Sequence, residues 1–256
     1  MTYAAETSCA VAAMSVIVPV HNEAATVGAA VHAIADAARQ VDLPVSLTVV
    51  FDRCTDSSEK QVEDVRGCCA DLEIRTLSGY FAHIGAVRNA GVADATTWGA
   101  STGIALERHW TAHTDADSLV PPQWLSCQRD DADAGHDLVI GTVTPDESPD
   151  SETVRLWSAR HTLGENHVAV HGANLGVRLD RLLAVGGFAG LPVGEDVATV
   201  RLLKDLGVPW TATDRGRVLT SARRTSRVSG GFADYLREMD IQEPRTEPTG
   251  EPTVET

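Results

Sequence analysis

The strongest constraint on the fold is an alternation of apolar, β-branched runs with helix-like segments near the start of the chain. Three strand-like runs occupy residues 15–20, 45–51 and 73–77. The continuous apolar run at 15–20 is typical of a strand buried on both faces in a parallel sheet, the run at 45–51 is a second apolar strand, and 73–77 is a short third strand. Each run is followed by a segment with helical spacing, at 22–38, 57–70 and 81–94. This order predicts a doubly wound α/β sheet with right-handed crossovers, in which ligands lie outside the carboxyl ends of the strands.

The first helix is expected to begin at Asn22, a residue favoured at helix N-caps. Glu23 follows it, where a carboxylate interacts favourably with the helix dipole. The apolar residues on one face of this helix are Val27, Val31, Ile34 and Ala38.

The second half of the chain is less regular. A strand at 109–114 is expected to lead into the sequence Asp115-Ala-Asp117, and a further strand is expected at 137–143. Helices are predicted after Pro121, at 154–164 and at 196–205. The end, from residue 243, is rich in Pro and Glu without periodicity, which predicts a disordered tail.

The overall charge excludes some classes of partner. The chain has 36 acidic and 21 basic residues and a formal net charge of −15, which argues against a nucleic-acid-binding protein. No apolar run is long enough to span a bilayer, and residues 1–14 lack the basic start of a signal peptide. We therefore expect a cytoplasmic protein without an integral membrane segment. The five cysteines form no recognisable disulfide or zinc pattern.

The charges are unevenly distributed. Residues 111–152 contain ten carboxylates and a single basic residue, Arg129, whereas basic residues outnumber acidic ones in 200–237. A site that binds both a metal ion and a diphosphate would need carboxylates for the cation and guanidinium groups for the anion. Two differently charged, solvated faces explain the same pattern equally well.

Asp115 and Asp117 are the clearest candidates for chemistry. In a turn that leaves a strand, both carboxylates can converge on one hard cation. A loop stabilised by Asx-turns is the alternative for any isolated Asp-x-Asp pattern. The position of this pair, after a strand and three β-α units, favours a metal-binding role.

Several stretches, taken in order, resemble the family 2 glycosyltransferases. The resemblance covers residues 15–238, and its motifs are VIVPVHNE at 16–23, FDRCTDS at 51–57, GAVRNAG at 85–91, TDAD at 114–117, GANLGVR at 172–178, VGGF at 185–188, and GED at 194–196 with Arg201. It implies a single Rossmann-like mixed sheet of the glycosyltransferase A type. On this basis we divide the chain into a flexible start (1–14), a nucleotide-sugar-binding half (15–120), an acceptor-binding and catalytic half of the same domain (121–240) and a disordered acidic tail (241–256).

The resemblance also implies roles for individual residues. The reaction would transfer a sugar from a nucleoside-diphosphate sugar to an acceptor hydroxyl, assisted by Mg²⁺ or Mn²⁺. If Asp196 is the base, the anomeric centre is inverted. The implied residues are Pro19, His21, Glu23, Asp52, Arg88 and Asn89 for the sugar donor, Asp115 for the ribose or metal, Asp117 as the principal metal ligand, Asp196 as the base and Glu195 as its supporting group.

A basic stretch near the end of the chain has a composition suited to clamping the diphosphate of the sugar donor. Arg223 and Arg224 are the first candidates, and solvated ion pairs are the alternative. His161, His167 and His171 lie near the acceptor region of the family pattern, but a lone histidine is more often structural.

Two other functions fit parts of the sequence. Residues 115–120 partly match the nucleophile motif of aspartyl phosphohydrolases, although that motif normally follows a first strand. A noncatalytic sugar-nucleotide-binding module is suggested by His21, which stands where the family usually has tyrosine. The sequence leaves open the base and sugar of the donor, and whether the acceptor is a small molecule or a lipid.

Overall fold

The computed structural model describes residues 10–147, 151–160 and 163–223. The chain divides into two compact units, residues 1–221 and residues 222–256. Only residues 222 and 223 of the second unit are described. The predicted acidic tail, Arg224 and His161 therefore lie outside the described residues.

The first unit alternates strands and helices. Its strands are β1 Ala13–Val20, β2 Val45–Asp52, β3 Glu73–Gly79, β4 His109–His113, β5 Ser118–Leu119, β6 Leu138–Pro145, β7 Leu175–Arg178 and β8 Trp210–Thr220. Its α-helices are α1 Val27–Ala38, α2 Ser58–Arg66, α3 Ile84–Ser101, α4 Trp124–Asp133, α5 Glu152–Arg160, α6 Leu179–Ala184 and α7 Glu195–Asp205. A 3₁₀ turn at Leu106–Arg108 precedes β4. No helix among the described residues is long and apolar enough to cross a membrane.

All eight strands form one sheet, in the order β3-β2-β1-β4-β7-β6-β8-β5. Strands β3, β2, β1 and β4 are parallel, as are β6 and β8. Strand β7 runs antiparallel to both β4 and β6, and β5 runs antiparallel to β8. The predicted α/β fold with a mixed sheet is confirmed. The carboxyl ends of β1, β2 and β4 lie along one edge of the sheet, where ligands of such folds bind.

The core explains why the apolar runs are continuous. Every residue of β1 and β4 is buried, because each of these strands has neighbours on both sides and lies in the middle of the sheet. On one side, Ile17, Leu175 and Val177 belong to a buried cluster that also includes Leu179 and Leu203 from helices α6 and α7. Burial of this apolar surface anchors the two helices that follow the irregular part of the chain.

The predicted start of the first helix is wrong. Helix α1 begins at Val27 after the N-cap Thr26, and Asn22 has a left-handed backbone with φ of 57°. Asparagine tolerates this conformation. Its Oδ1 accepts hydrogen bonds from the backbone N–H groups of Thr55 (2.8 Å) and Asp56 (3.3 Å), so Asn22 stabilises the loop after β2.

Two other elements differ from the sequence prediction. Helix α3 is longer than the predicted segment 81–94, because it continues to Ser101. Strand β8 was not predicted, since its sequence includes Asp214, Arg215 and Arg217. These charges are tolerated because Arg217 pairs with Asp214 and Arg215 pairs with Asp131 of α4.

Candidate functional site

The candidate site lies at the carboxyl edge of the sheet. Because β1, β2 and β4 are parallel, the residues that follow them emerge at the same edge: His21 and Glu23 after β1, Asp52 at the end of β2, and Asp115 and Asp117 after β4. Pro19, the remaining predicted residue of the first motif, is buried within β1 beside Val50.

Asp52 is held firmly in its ionised form. Its Oδ1 accepts hydrogen bonds from Arg53 Nε and from the backbone N–H of Phe81, both at 3.0 Å, and its Oδ2 accepts one from Arg53 Nη2 at 2.8 Å. Burial alone would raise the pKa of Asp52, but these hydrogen bonds outweigh burial and lower the pKa. The Asp52 carbonyl also accepts a 2.6 Å hydrogen bond from His21 Nδ1, which fixes the ring of His21.

The loops after β1 and β2 hold each other in place. The backbone N–H of Glu23 donates to Ser58 Oγ at 2.8 Å, and that of Ala24 donates to Asp56 Oδ2 at 3.0 Å. Glu23 is buried, and its carboxylate accepts a hydrogen bond from Thr26 Oγ1 at 3.1 Å. The predicted nucleoside-binding residues His21, Glu23 and Asp52 therefore sit on one preorganised surface.

Arg88 occupies the centre of the site. Its side chain is only 2% exposed, and its Nη2 lies 2.7 Å from Asp115 Oδ1 while its Nε lies 3.3 Å from Glu195 Oε1. The guanidinium also lies over the ring of Phe188, 5.6 Å from the ring centroid. Burial would lower the pKa of Arg88, but the charges of Asp115, Glu195 and Asp196 raise it, so the guanidinium stays protonated.

Glu195 and Asp196 begin helix α7, as the sequence predicted to within one residue. Burial raises the pKa of Glu195, and the charge of Arg88 opposes this effect. Asp196 is half-buried, and its Oδ1 accepts a hydrogen bond from the backbone N–H of Val197 at 2.8 Å. The helix start thus presents one buried carboxylate and one that solvent can reach.

A short segment under Arg88 connects helices α3 and α7. Asn89 Nδ2 donates to the carbonyl of Phe188 at 3.0 Å, and the N–H of Phe188 donates to Asn89 Oδ1 at 2.7 Å. The N–H of Ala189 donates to Thr199 Oγ1 on α7 at 3.0 Å. This explains why Asn89 follows Arg88: it anchors the segment on which the guanidinium rests.

Sequence reasoning did not single out His113 as a site residue. It is fully buried at the end of β4, and its ring contacts Phe188 edge-on with 4.7 Å between centroids. Burial first, and the nearby charge of Arg88 second, lower the pKa of His113 well below its usual value. His113 is therefore neutral, and only its place directly before the Thr114–Asp117 motif marks it in the sequence.

Four basic residues in the range 200–217 lie close to other groups of the protein. Arg215 pairs with Asp131 and Arg217 with Asp214, while Lys204 Nζ lies 3.5 Å from the centroid of the Trp210 ring. The motif residue Arg201 is 83% exposed and lies 3.8 Å from Asp205 of the same helix. These four basic residues make ion pairs or a ring contact with neighbouring side chains. Their contacts favour the alternative of charged, solvated faces for residues 200–217.

The remaining candidates have separate positions. His167 Nε2 donates to the Ile140 carbonyl at 3.1 Å, and the ring of His171 contacts Trp157 with 5.8 Å between centroids, so both have structural contacts. Arg223 belongs to the second unit, and its role as a diphosphate clamp stays a prediction. Asp117 is half-buried, and its carbonyl accepts a hydrogen bond from the N–H of Ser221 at 3.1 Å.

Asp115 and Asp117 set limits on the type of metal site. Within the described ranges, no group of three or more His, Cys, Asp or Glu side chains could form a metal cage. Mg²⁺ does not need such a cage, because one or two carboxylates usually hold it together with substrate phosphates and water. The two carboxylates after β4 fit a divalent ion whose coordination the substrate completes.

Comparisons with known proteins agree with this geometry. A family model described as glycosyl transferase family 2 matches residues 15–182. A search of curated proteins finds no match.

Among solved structures, the S. aureus TarS fragment 1–349 in complex with UDP-GlcNAc is 15% identical with a TM-score of 0.64, and the match covers 89% of this chain and 65% of that one. The mannosyltransferase PcManGT from Pyrobaculum calidifontis, in complex with GDP-Man and Mn²⁺, is 19% identical with a TM-score of 0.60, and the match covers 84% and 57% of the two chains. GalNAc-T7 with UDP, GalNAc and Mn²⁺ is 12% identical with a TM-score of 0.62, and the match covers 86% and 45%.

These likenesses show a shared fold, the glycosyltransferase A type that the sequence predicted. The chain spans less than two thirds of the length of each of these three structures.

Proposed function

The chain belongs to glycosyl transferase family 2, and from this premise we propose that it transfers a sugar from a nucleoside-diphosphate sugar to an acceptor hydroxyl. The observation that carries the proposal is the pair of contacts made by Arg88, which joins Asp115 at the end of β4 to Glu195 at the start of α7. A metal-binding carboxylate and the helix with the predicted base are thereby brought to one point.

In this proposal the nucleoside binds over the ends of β1 and β2. Asp52 offers an ionised carboxylate, Arg53 offers guanidinium N–H groups beside it, and the ring of His21 offers a face for stacking. All three belong to loops whose geometry is already held by hydrogen bonds, so little ordering would be needed on binding. The related structures contain UDP-GlcNAc or GDP-Man, which supports a nucleotide-sugar donor.

The diphosphate would lie beyond the end of β4. Asp117 and Asp115 would hold Mg²⁺ or Mn²⁺ there, and Mn²⁺ is present in two of the related structures. When bound, the metal ion supplies positive charge that stabilises the leaving diphosphate. Arg88 keeps Asp115 in place through the 2.7 Å ion pair, and it adds a second positive charge close to the leaving group.

Asp196 would remove the proton from the acceptor hydroxyl. It is the more accessible of the two carboxylates at the start of α7, and the Val197 N–H orients its Oδ1. Glu195, buried against Arg88, would support the site rather than exchange protons with solvent. Direct attack of the activated hydroxyl on the sugar would invert the anomeric centre.

An aspartyl phosphohydrolase would need a supporting lysine, and the contacts of Lys60 and Lys204 give this alternative no support. Lys60 Nζ lies 2.6 Å from Asp64 on the surface of α2, and Lys204 lies over Trp210. The noncatalytic sugar-nucleotide-binding module can be distinguished from the transferase by experiment.

A cytoplasmic location and the division of the domain into halves at residue 120 stay predictions.

The proposal is tested by a thermal-shift screen of UDP-, GDP- and dTDP-sugars, each with and without Mn²⁺. A bound ligand raises the apparent melting temperature by mass action. Sugar donors that bind are then assayed for hydrolysis and for transfer to a broad panel of acceptors. Binding followed by turnover supports the transferase, and binding without any turnover supports the noncatalytic module. Rapid hydrolysis of a simple phosphomonoester without nucleotide binding would reinstate the phosphohydrolase.

A further inference from the structure

Gly172 lies against the buried guanidinium. A Cβ atom placed on Gly172 would come within 2.6 Å of Arg88 Nη2 and 3.4 Å of Asp196 Oδ2. The first distance is too short for any real contact, so the guanidinium would have to move. The backbone of Gly172 does not have a positive φ, unlike that of Gly194. The missing side chain is therefore required for space and not for backbone conformation.

The guanidinium has little freedom to move. Nη2 binds Asp115, which follows β4, and Nε binds Glu195 at the start of α7. The Phe188 ring lies against the guanidinium, and Phe188 is itself tied to Asn89 by two hydrogen bonds. A displacement large enough to relieve a contact at Gly172 would lengthen at least one of the two ion pairs.

Within the described part of the chain, the third nitrogen of the group has no hydrogen-bond partner. Nη1 of Arg88 is buried and makes no hydrogen bond to the described residues. A buried guanidinium N–H without an acceptor is costly, so such groups usually meet an oxygen. Among the described residues, the neighbouring carboxylates already bind the other two nitrogens and no acceptor is left for Nη1, whereas an oxygen of a bound ligand would satisfy it.

We propose that Gly172 and Arg88 form one positioning unit for sugar transfer. Gly172 makes room for the guanidinium, and the guanidinium fixes the separation between Asp115 on the leaving-group side and the carboxylates of α7 on the acceptor side. Nη1 donates a hydrogen bond to an oxygen of the bound nucleotide sugar. This bond holds the nucleotide sugar against Asp115 and against the carboxylates of α7. This inference rests on the proposed glycosyl transfer and assigns a role to Gly172 within it.

The first test replaces Gly172 with alanine. Gly172→Ala is expected to lower kcat about 10- to 100-fold, because a displacement of about 1 Å in an active site has effects of this size. The KM for the sugar donor should rise as well, because the displaced Nη1 no longer meets the donor oxygen in the same geometry. Gly28→Ala is the matched control, since a Cβ at that helical glycine would meet Val65 at an ordinary 3.7 Å. Melting temperatures of both variants show whether either effect is one of folding.

The second test is a double-mutant cycle with Arg88→Lys. Lysine keeps the charge but lacks the Nη2 atom that the new Cβ would meet. If the two residues act as one unit, Gly172→Ala costs nothing further in the Arg88→Lys background. Additive losses, or a Gly172→Ala variant that keeps kcat within twofold, overturn the inference.

A further readout covers the case in which Gly172→Ala does not fold. The melting temperature of the double variant Gly172→Ala/Arg88→Lys is then the readout: restored folding supports the unit, because lysine lacks the Nη2 atom that the new Cβ would meet, and a continued loss of folding overturns it. A wild-type protein that neither binds nor turns over any nucleotide sugar overturns the proposed function as well. A wild-type protein that is active while the cycle is additive overturns only the positioning unit.

Discussion

Nε of Arg88 lies 3.3 Å from Oε1 of Glu195, although 107 positions separate the two residues. Both side chains are buried, and the same guanidinium also binds Asp115. A charge buried in this way is tolerated only because it is paired and hydrogen-bonded. The contact therefore joins helix α3, which carries Arg88, to helix α7, which carries the predicted base.

Removal of the Arg88 charge should destabilise the fold as well as the site. Arg88→Met leaves Glu195 buried without its counter-charge, and loss of one partner of a buried ion pair typically costs about 3–5 kcal/mol. Urea unfolding measures this free energy. Arg129→Met, which removes an exposed ion pair with Asp130, is the control and should cost less than about 1 kcal/mol. Equal effects of the two substitutions would contradict the central place of Arg88.

Asp196→Asn should remove the base while sparing the binding of the sugar donor. General base catalysis contributes about 100- to 10,000-fold, so we expect kcat to fall by a factor in this range and the donor KM to change little. Steady-state kinetics over a range of donor concentrations separates the two constants. Asp205→Asn, at the exposed end of the same helix, is the control. Retention of full kcat in Asp196→Asn would assign the base elsewhere.

Asp117→Ala should abolish transfer and the dependence on divalent metal while leaving the fold intact. The metal ion contributes several kcal/mol to stabilisation of the leaving group, so a loss of about 100-fold or more is expected. The measurement compares the Mn²⁺-dependent rise in melting temperature with a nucleoside diphosphate present. The surface variant Asp130→Ala should keep the full rise. Unchanged turnover in Asp117→Ala would show that Asp117 is not the principal metal ligand.

Asp52→Ala should weaken the binding of the sugar donor. A hydrogen bond to a charged group contributes about 1.5–3 kcal/mol, which corresponds to a rise in donor KM of roughly 10- to 100-fold. The effect on kcat at saturating donor should be much smaller. Asp64→Ala removes a carboxylate that pairs with the exposed Lys60, and its KM should match that of the wild type. A normal KM in Asp52→Ala would move the nucleoside away from the end of β2.

His109 should make the fold sensitive to mild acid. Its Nε2 lies 2.8 Å from Ser15 Oγ inside the sheet, and burial lowers its pKa from 6.5 to about 4. The unfolded chain therefore binds the proton more readily, so the free energy of unfolding is highest above about pH 6.5 and falls as the pH drops towards 4. The total loss is about 3 kcal/mol at most.

Urea unfolding at several pH values between 7 and 4 measures this slope. His109→Gln should flatten the curve without abolishing the slope, because the pKa of His113 is lowered in the same direction. A His109→Gln variant with the wild-type slope would contradict the assignment.

Local patterns in the sequence determined the type of fold and the edge at which the site lies. The apolar runs predict β1 and β2 because burial on both faces of a strand demands consecutive apolar residues, a requirement visible within one short window. Since the carboxyl ends of parallel strands meet at one edge, the positions of Asp52 and Asp115 directly after strands predict their proximity. The order of the motifs predicts the family that the family model matches.

Only the tertiary structure decided which side chains meet. Glu195 as the second partner of Arg88, Phe188 and His113 beside the guanidinium, and the absence of room at Gly172 all depend on contacts between segments far apart in the chain. The pairing of Arg215 with Asp131 likewise depends on contact between strand β8 and helix α4, which lie far apart in the sequence. A local pattern records which faces must be buried, but the choice of partner depends on how the segments pack, and no single window of sequence contains that information.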